Sequence, residues 1–287
     1  MSVLKTAYAT PSRVAAVYRF LLAQHRSTVS SETVQAVLSP TTLPDVETQG
    51  MVGGAIQESI KMGLVHQEDG RLSLHPDLPA AARNRKHGWA RLPLTISDLI
   101  LRGNAENHDL ARLIAWYLSQ DVTSAPGNRS TISSALGEQI GSDKLDLTND
   151  ARFGQFKYWI CFLGFAWMHT REQKEWIVPD PTQQLRWRLP DLFETDSRVS
   201  PAQLSTRLGA LCPVFEGGWI RKEVEQQVGR RADRTLSPAT AHAWFRLEEE
   251  GLIQVERGSA DAEVYLFPDG GSVVRCSALI RKHGGTR

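Results

Sequence analysis

Residues 62–77 read Met62-Gly63-Leu64-Val65-His66-Gln67-Glu68-Asp69-Gly70-Arg71-Leu72-Ser73-Leu74-His75-Pro76-Asp77. They spell the end of a helix, a glycine that can cap it in the left-handed conformation, a short strand, a tight turn and a second strand closed by proline. Asp69-Gly70 is a strong two-residue hairpin signal. Strict alternation then places Val65, Leu72 and Leu74 on a buried face, and His66, Glu68, Arg71 and Ser73 on an open one.

The same layout returns twice. Leu163-Gly164-Phe165-Ala166-Trp167 leads through a turn at 171–174 to Trp176-Ile177-Val178-Pro179-Asp180. Glu250-Gly251-Leu252-Ile253-Gln254-Val255 leads through 257–261 to Val264-Tyr265-Leu266-Phe267-Pro268-Asp269. Glycine and proline are 13, 15 and 17 residues apart (63 to 76, 164 to 179, 251 to 268), so only the turn grows.

Helical periodicity precedes each hairpin. It runs over about 11–25, 31–38 and 48–63 in the first copy, 107–118, 130–140 and 148–164 in the second, and 200–212, 219–228 and 237–251 in the third. Val14, Val17, Tyr18 and Leu21 keep one face, as do Val52, Ile56 and Ile60. Ser237 and Pro238 are placed as N-cap and first helical residue of the last helix. The expected fold is mainly α with small β-hairpin wings, an α+β class, in three domains at 1–90, 91–197 and 198–287. Linkers at 78–93 and 181–199 carry Arg83-Asn84-Arg85-Lys86-His87 and Leu185-Arg186-Trp187-Arg188-Leu189-Pro190, and their aromatic residues predict that they pack on the domains.

Three helices followed by a hairpin resemble tandem winged-helix (winged helix-turn-helix) proteins over nearly the whole chain. That resemblance implies a third helix able to enter a DNA groove and a wing able to touch the backbone. In length and layout the chain is also similar to the DpdG component of bacterial systems that insert and police 7-deazapurines in DNA. That likeness implies a role in restricting foreign DNA alongside larger ATPase and nuclease partners, with no activity of its own.

Composition narrows the classes further. A chain of 287 residues with 41% hydrophobic side chains is neither disordered nor collagenous. Cys161, Cys212 and Cys276 are solitary and odd in number, which excludes a disulfide framework and fits a reducing compartment. The N-terminus has no apolar leader, and the most apolar run, 158–168, has 11 residues against the roughly 18 a membrane span needs. A cytoplasmic protein without a membrane partner is expected.

With 33 basic and 32 acidic residues the chain is no polycation, so any nucleic-acid surface has to be local. By copy the balance is 9 basic to 7 acidic over 1–90, 11 to 14 over 91–197 and 13 to 11 over 198–287. Cationic candidates concentrate in the third copy. Arg221, Lys222, Arg230, Arg231 and Arg234 lie in or before the turn to its third helix, Thr240, His242 and Arg246 are read as facing outward from that helix, and Arg257 sits on its wing. Glu248-Glu249-Glu250 at the helix end opposes a phosphate backbone. In the first copy Gln49, Gln57, Lys61 and Arg71 can reach DNA, followed by Arg83, Arg85 and Lys86 in the linker. The middle helix is apolar almost all round and reads as buried, with Arg152 and Gln155 as its exposed polar groups.

No nucleotide-binding loop, metalloprotease or nucleophile-elbow motif occurs, so no catalytic residue, cofactor or metal is assigned. Two functional readings stand side by side. One is a non-catalytic protein that reads or clamps double-stranded DNA within a DNA-processing or anti-phage defence complex. The other is a scaffold whose winged helices bind protein subunits such as an ATPase, a nuclease or an SMC-like partner, a reading that the 8 tryptophans and near-zero charge support.

Overall fold

Proline in the first turn and apolar residues at 14, 17, 18 and 21 open the first helix, α1 (Pro11–Ala23), whose apolar stripe is buried. A computed structural model describes the chain except residues 1–2, 7, 25–27, 41–46, 103–107, 142–144, 146, 148, 172, 230, 259–264, 270 and 283–287. Strand β1 (Val29–Ser30), α2 (Ser31–Leu38), α3 (Glu47–Lys61), β2 (Val65–Glu68), β3 (Arg71–Leu74) and α4 (Leu92–Arg102) follow. Next come α5 (His108–Leu118), α6 (Arg129–Gln139), α7 (Asp150–Phe162), β4 (Ala166–Arg171), β5 (Lys174–Pro179) and α8 (Thr182–Leu192). The chain continues with β6 (Arg198–Val199), α9 (Pro201–Leu211), α10 (Trp219–Val228), α11 (Pro238–Glu249), β7 (Ile253–Arg257), β8 (Tyr265–Asp269) and β9 (Ser272–Arg281). The architecture is mixed α and β, with helices predominating over three small antiparallel sheets among the described residues.

Packing divides the chain into two compact units, 1–110 with 151–163 and 111–150 with 164–287. In the first, α1, α2 and α3 enclose a core of Val17, Leu21, Val34, Val52, Ala55, Ile56, Val65 and Leu72. The sheet order is β1-β3-β2, and Glu68 pairs with Arg71 across a turn whose Asp69 and Gly70 both have positive φ, 48° and 73°. Those dihedrals belong to the tight turn expected of Asp-Gly, and they set the register that buries Val65 and Leu72. Helix α7 belongs to this unit. Gln155 Nε2 donates to the Thr6 carbonyl at 3.2 Å and Trp159 Nε1 to the Ala9 carbonyl at 3.2 Å.

The second unit repeats the first unit's plan with different elements from those expected. Its order α8, β6, α9, α11, β7, β9 mirrors α1, β1, α2, α3, β2, β3, and its sheet order β6-β9-β7 mirrors β1-β3-β2. The supposed linker at 181–199 therefore supplies the first helix and the edge strand, and α8 packs on α11 as α1 packs on α3. The expected pairing of 253–255 with 264–267 is not made among the described residues. Instead β7 pairs with β9, Gln254 opposite Ile280, and β8 forms its own hairpin with β9, Asp269 opposite Ser272. At ten residues β9 is long enough to serve both, with a register shift at Glu256/Arg257. Helix α10 is an insertion: residues 212–237 separate α9 from α11, where only 39–46 separate α2 from α3.

The insertion returns through a turn with no room for side chains. A Cβ on Gly209 would lie 2.4 Å from the backbone of both Gly217 and Gly218, and one on Gly218 would lie 2.2 Å from the Pro213 carbonyl oxygen. Backbone cannot move aside as a side chain can. Gly209→Ala is therefore expected to destabilise the chain by about 1–3 kcal/mol, seen as a lower urea midpoint with an unchanged slope. An unaltered midpoint would show that the turn yields.

Candidate functional site

In the first unit the polar candidates reach solvent. Gln57 and Lys61 are exposed on α3, and between Gly50 and Lys61 the one acidic side chain, Glu58, is 1% exposed. Glu58 accepts a hydrogen bond from Thr6 Oγ1 and lies 3.8 Å from Lys61 Nζ. Exposed Arg71 of β3 donates through Nε to Thr28 Oγ1 at 2.8 Å and through Nη2 to the Thr28 carbonyl at 3.2 Å. The side chain of Gln49 lies outside the described residues.

Arg83, Arg85 and Lys86 are all exposed, and the segment carrying them is held in place. Buried Tyr18 donates its hydroxyl to the Ala82 carbonyl, and burial pushes that hydroxyl's pKa up to about 12. Asn84 Oδ1 accepts from the Lys86 and His87 amides at 3.0 and 3.1 Å. Arg83 Nε donates to the Leu78 carbonyl at 3.0 Å, and Arg85 Nη2 to the Ala23 carbonyl at 2.7 Å. Arg71 and Arg85 thus grip the two ends of the α1–β1 connection, Thr28 and Ala23. Four residues lie between those ends, a span of at most ~18 Å.

Charge follows the same contour. From Leu78 to Ser97 the chain carries Arg83, Arg85, Lys86 and Arg91 and no acidic residue. Beside them Trp89 is 56% exposed, with the Arg19 guanidinium carbon 5.8 Å from its ring centre. Exposed cations interleaved with an exposed aromatic residue suit a polyanion with planar parts. Glu68 and Asp69 at the hairpin tip offset Arg71, which leaves the 83–91 segment as the more cationic part of the face.

The third-copy candidates are placed differently. Arg221 is fully buried, paired with Glu225 at 2.7 Å and Glu216 at 3.3 Å, and it donates to the Ala115 carbonyl at 3.2 Å. Thr240, expected to face outward, is 1% exposed and donates to Glu216 Oε2 at 2.9 Å. Neither is presented to solvent, because α11 begins beneath the insertion. Burial is the largest influence on Glu216 and pushes its carboxyl up, yet the Arg221 guanidinium and the hydrogen bonds from Ser237 outweigh it and hold the carboxyl below its ordinary range.

Lys222, Arg234 and His242 are exposed, and Arg231 is half-buried, its Nη2 donating to the Ser119 carbonyl. Burial, then the neighbouring Arg221 charge, holds Arg231 below the usual arginine range. Arg246 is paired with Asp180. Arg257 lies 3.5 Å from Glu248, and Glu250 holds Arg186 at 2.5 Å. The acidic run at the end of α11 thus meets arginines of its own chain. Arg230 lies outside the described residues. In α7 Arg152 is half-buried, and Gln155, expected to be exposed, is 3% exposed because its amide serves the Thr6 carbonyl.

A model of the DpdG-like family matches residues 1–262 of the 287. The chain belongs to the DpdG-like family. Neither the curated proteins nor the solved structures contain a significant match to it. The DpdG-like match covers every cation named above, Arg257 being the last, and stops short of β8 and β9. No helix among the described residues is long and apolar enough to cross a membrane.

Sequence reasoning missed three parts of this candidate face. Trp89 was read as a packing residue, Tyr18 as core alone, and Asn84 as plain linker. An Asn two and three residues before amides that need an acceptor is a usable turn signal. The Tyr18 bond, which spans 64 residues, had none.

Proposed function

We propose that this DpdG-like chain is a non-catalytic subunit that binds double-stranded DNA. In this reading the winged helix built from α1, β1, α2, α3, β2 and β3 meets the duplex, and the 83–91 segment lies along its phosphates. The observation that carries the reading is that a segment with four cations and no acid is fixed in shape by Tyr18 and Asn84. Fixed cations lose less freedom on contact than a loose basic loop does. Arginines 83 and 85 suit phosphate, and Gln57 with Lys61 gives α3 donors for a groove. Membership in the DpdG-like family supports a setting in bacterial DNA modification and defence. The elements α8, β6, α9, α11, β7 and β9 form a second winged helix in this reading, with its third helix engaged in internal ion pairs.

Binding to a duplex of ~20 base pairs, followed by fluorescence anisotropy from about 50 to 200 mM salt, tests this. Four phosphate contacts predict a log–log slope of about −3.6, at ~0.9 for each. No binding at ~50 mM salt, or a flat response, sinks the proposal.

A second reading rests on the other unit. Trp167 of β4 and Trp219 of α10 are 47% and 51% exposed, and large aromatic side chains left in solvent are the kind that a protein subunit of the same assembly covers. Trp167→Ala then weakens retention of that subunit and leaves duplex affinity unchanged.

A further inference from the structure

The insertion that distinguishes the second unit borders an open cavity of about 620 Å³, within the size range of small-molecule sites. Ser205 of α9, Glu216, Lys222, Glu225 and Gln226 around α10, residues 231–236, and Tyr265 of β8 line it. Every lining residue lies in one unit. The first unit's equivalent connection, 39–46, is eight residues long against the 26 of 212–237.

Three features mark it as a built site. Arg221 bridges Glu216 and Glu225, so the two carboxylates at the cavity are already held by an internal cation. Arg231 Nε and Thr235 Oγ1 are buried polar atoms at the wall with no hydrogen-bond partner among the described residues. A buried donor left unpaired is costly, and a ligand acceptor would satisfy it. Arg234 has φ 59°, a left-handed conformation that glycine adopts without cost. The Leu266 amide donates to its carbonyl at 2.7 Å, and Leu236 donates to the Leu266 carbonyl at 3.0 Å, which holds the guanidinium-bearing residue at the cavity wall. Strained non-glycine backbone of this kind concentrates at ligand sites.

We propose that this cavity binds a nucleoside 5′-monophosphate group, its phosphate held by Arg231, Arg234 and Lys222 and its base lying against Tyr265 and Leu236. Two guanidiniums and an ammonium suit a compact dianion, since arginine can present paired donors to phosphate oxygens. Glu225, Gln226 and Asp233 supply acceptors for the amino groups of a base. The group can belong to a free nucleotide or to the 5′ end of a DNA strand. The proposal does not depend on duplex binding, whose residues lie in the first unit.

Calorimetric titration of the full chain with GMP, AMP, inorganic phosphate and a 5′-phosphorylated single strand tests it. Saturable binding of a nucleoside monophosphate, tighter than inorganic phosphate, is expected. Weaker binding of the phosphorylated strand identifies the free nucleotide as the source, and tighter binding identifies the strand end. Arg234→Gly removes the guanidinium and relieves the backbone, so a tenfold or greater loss of affinity with undiminished thermal stability is expected. Lys222→Ala, at an exposed position, should weaken binding in the same direction. Equal affinity for inorganic phosphate and nucleotide, no binding of any probe, or nucleotide affinity unchanged in both variants overturns the proposal.

Discussion

Replacing Arg83, Arg85 and Lys86 together by alanine is expected to lower duplex affinity by two to three orders of magnitude at about 0.1 M salt. The size follows from counterion release. Each neutralised phosphate contributes ~0.9 to the log–log salt slope, so three lost contacts flatten it by about 2.7. All three side chains are exposed, and the bonds of Arg83 and Arg85 to the Leu78 and Ala23 carbonyls are surface bonds worth about 1 kcal/mol each. The fold should persist, with Tyr18 and Asn84 still holding the segment. Anisotropy at several salt concentrations, beside circular dichroism of the variant, checks the prediction. A variant that keeps its slope would place the DNA contact elsewhere, and the exposed cations of the insertion, Lys222 and Arg234, would be the next to test.

Loss of Arg221 should produce the largest effect on stability. Arg221→Ala leaves Glu216, whose side chain is 11% exposed, without its guanidinium partner. Removing one member of a buried ion pair costs about 3–5 kcal/mol, a large share of the 5–15 kcal/mol that typically separates folded from unfolded chains.

The pH dependence gives the effect a signature. In the parent chain the Glu216 carboxyl is held below its ordinary range, so its contribution is complete above the unfolded-state value, near 4.5, and is lost as pH falls through the lower folded value. Without Arg221 the desolvation that already pushes this carboxyl up is no longer outweighed, and its folded pKa rises above the unfolded one. The variant therefore loses stability as pH rises through that folded value, and its deficit shrinks on acidification from pH 7 to about pH 5. Urea midpoints at the two pH values test this. A deficit that stays constant or grows on acidification would falsify the role given to Glu216. Arg221→Met with Glu216→Gln removes both buried charges and should recover more than half of the loss.

Much of the fold was legible because its signals are local. Gly63, Gly164 and Gly251 take positive φ values of 77°, 76° and 73°, as expected of glycines that end helices. Asp69-Gly70 makes its turn, and Arg71 lies opposite Glu68. Ser237 caps α11 by accepting from the Thr240 amide, with Pro238 in the first turn. The 3.6-residue stripes of α1 and α3 face the core as read.

The third copy went astray where local signals and partners part company. Residues 182–192 carry Arg186, Arg188 and Pro190 and look like a linker, but they form α8 because Leu185, Leu189 and Leu192 find buried positions and α11 lies against them. Val264 to Phe267 read as the partner of β7, and the strand that wins is β9, whose residues come after Asp269-Gly270-Gly271. A second turn signal stood in the sequence there, and a strand long enough to pair twice followed it.

The candidate face divides along the same line. Sequence alone determined where the cations stand, how they cluster and that the Asp69-Gly70 hairpin displays Arg71, since turn chemistry and side-chain period act over a few residues. Tertiary structure alone decided which of those cations meet solvent. Arg221 and Lys222 are neighbours of like charge, yet one is buried between two glutamates and the other is exposed. Arg83 and Arg85 stand in a linker that its aromatic residue leads one to expect against a domain, but the group that fixes their segment to α1 is Tyr18, more than sixty residues away. Burial and ion pairing depend on groups far apart in the chain, and that is information one-dimensional spacing does not carry.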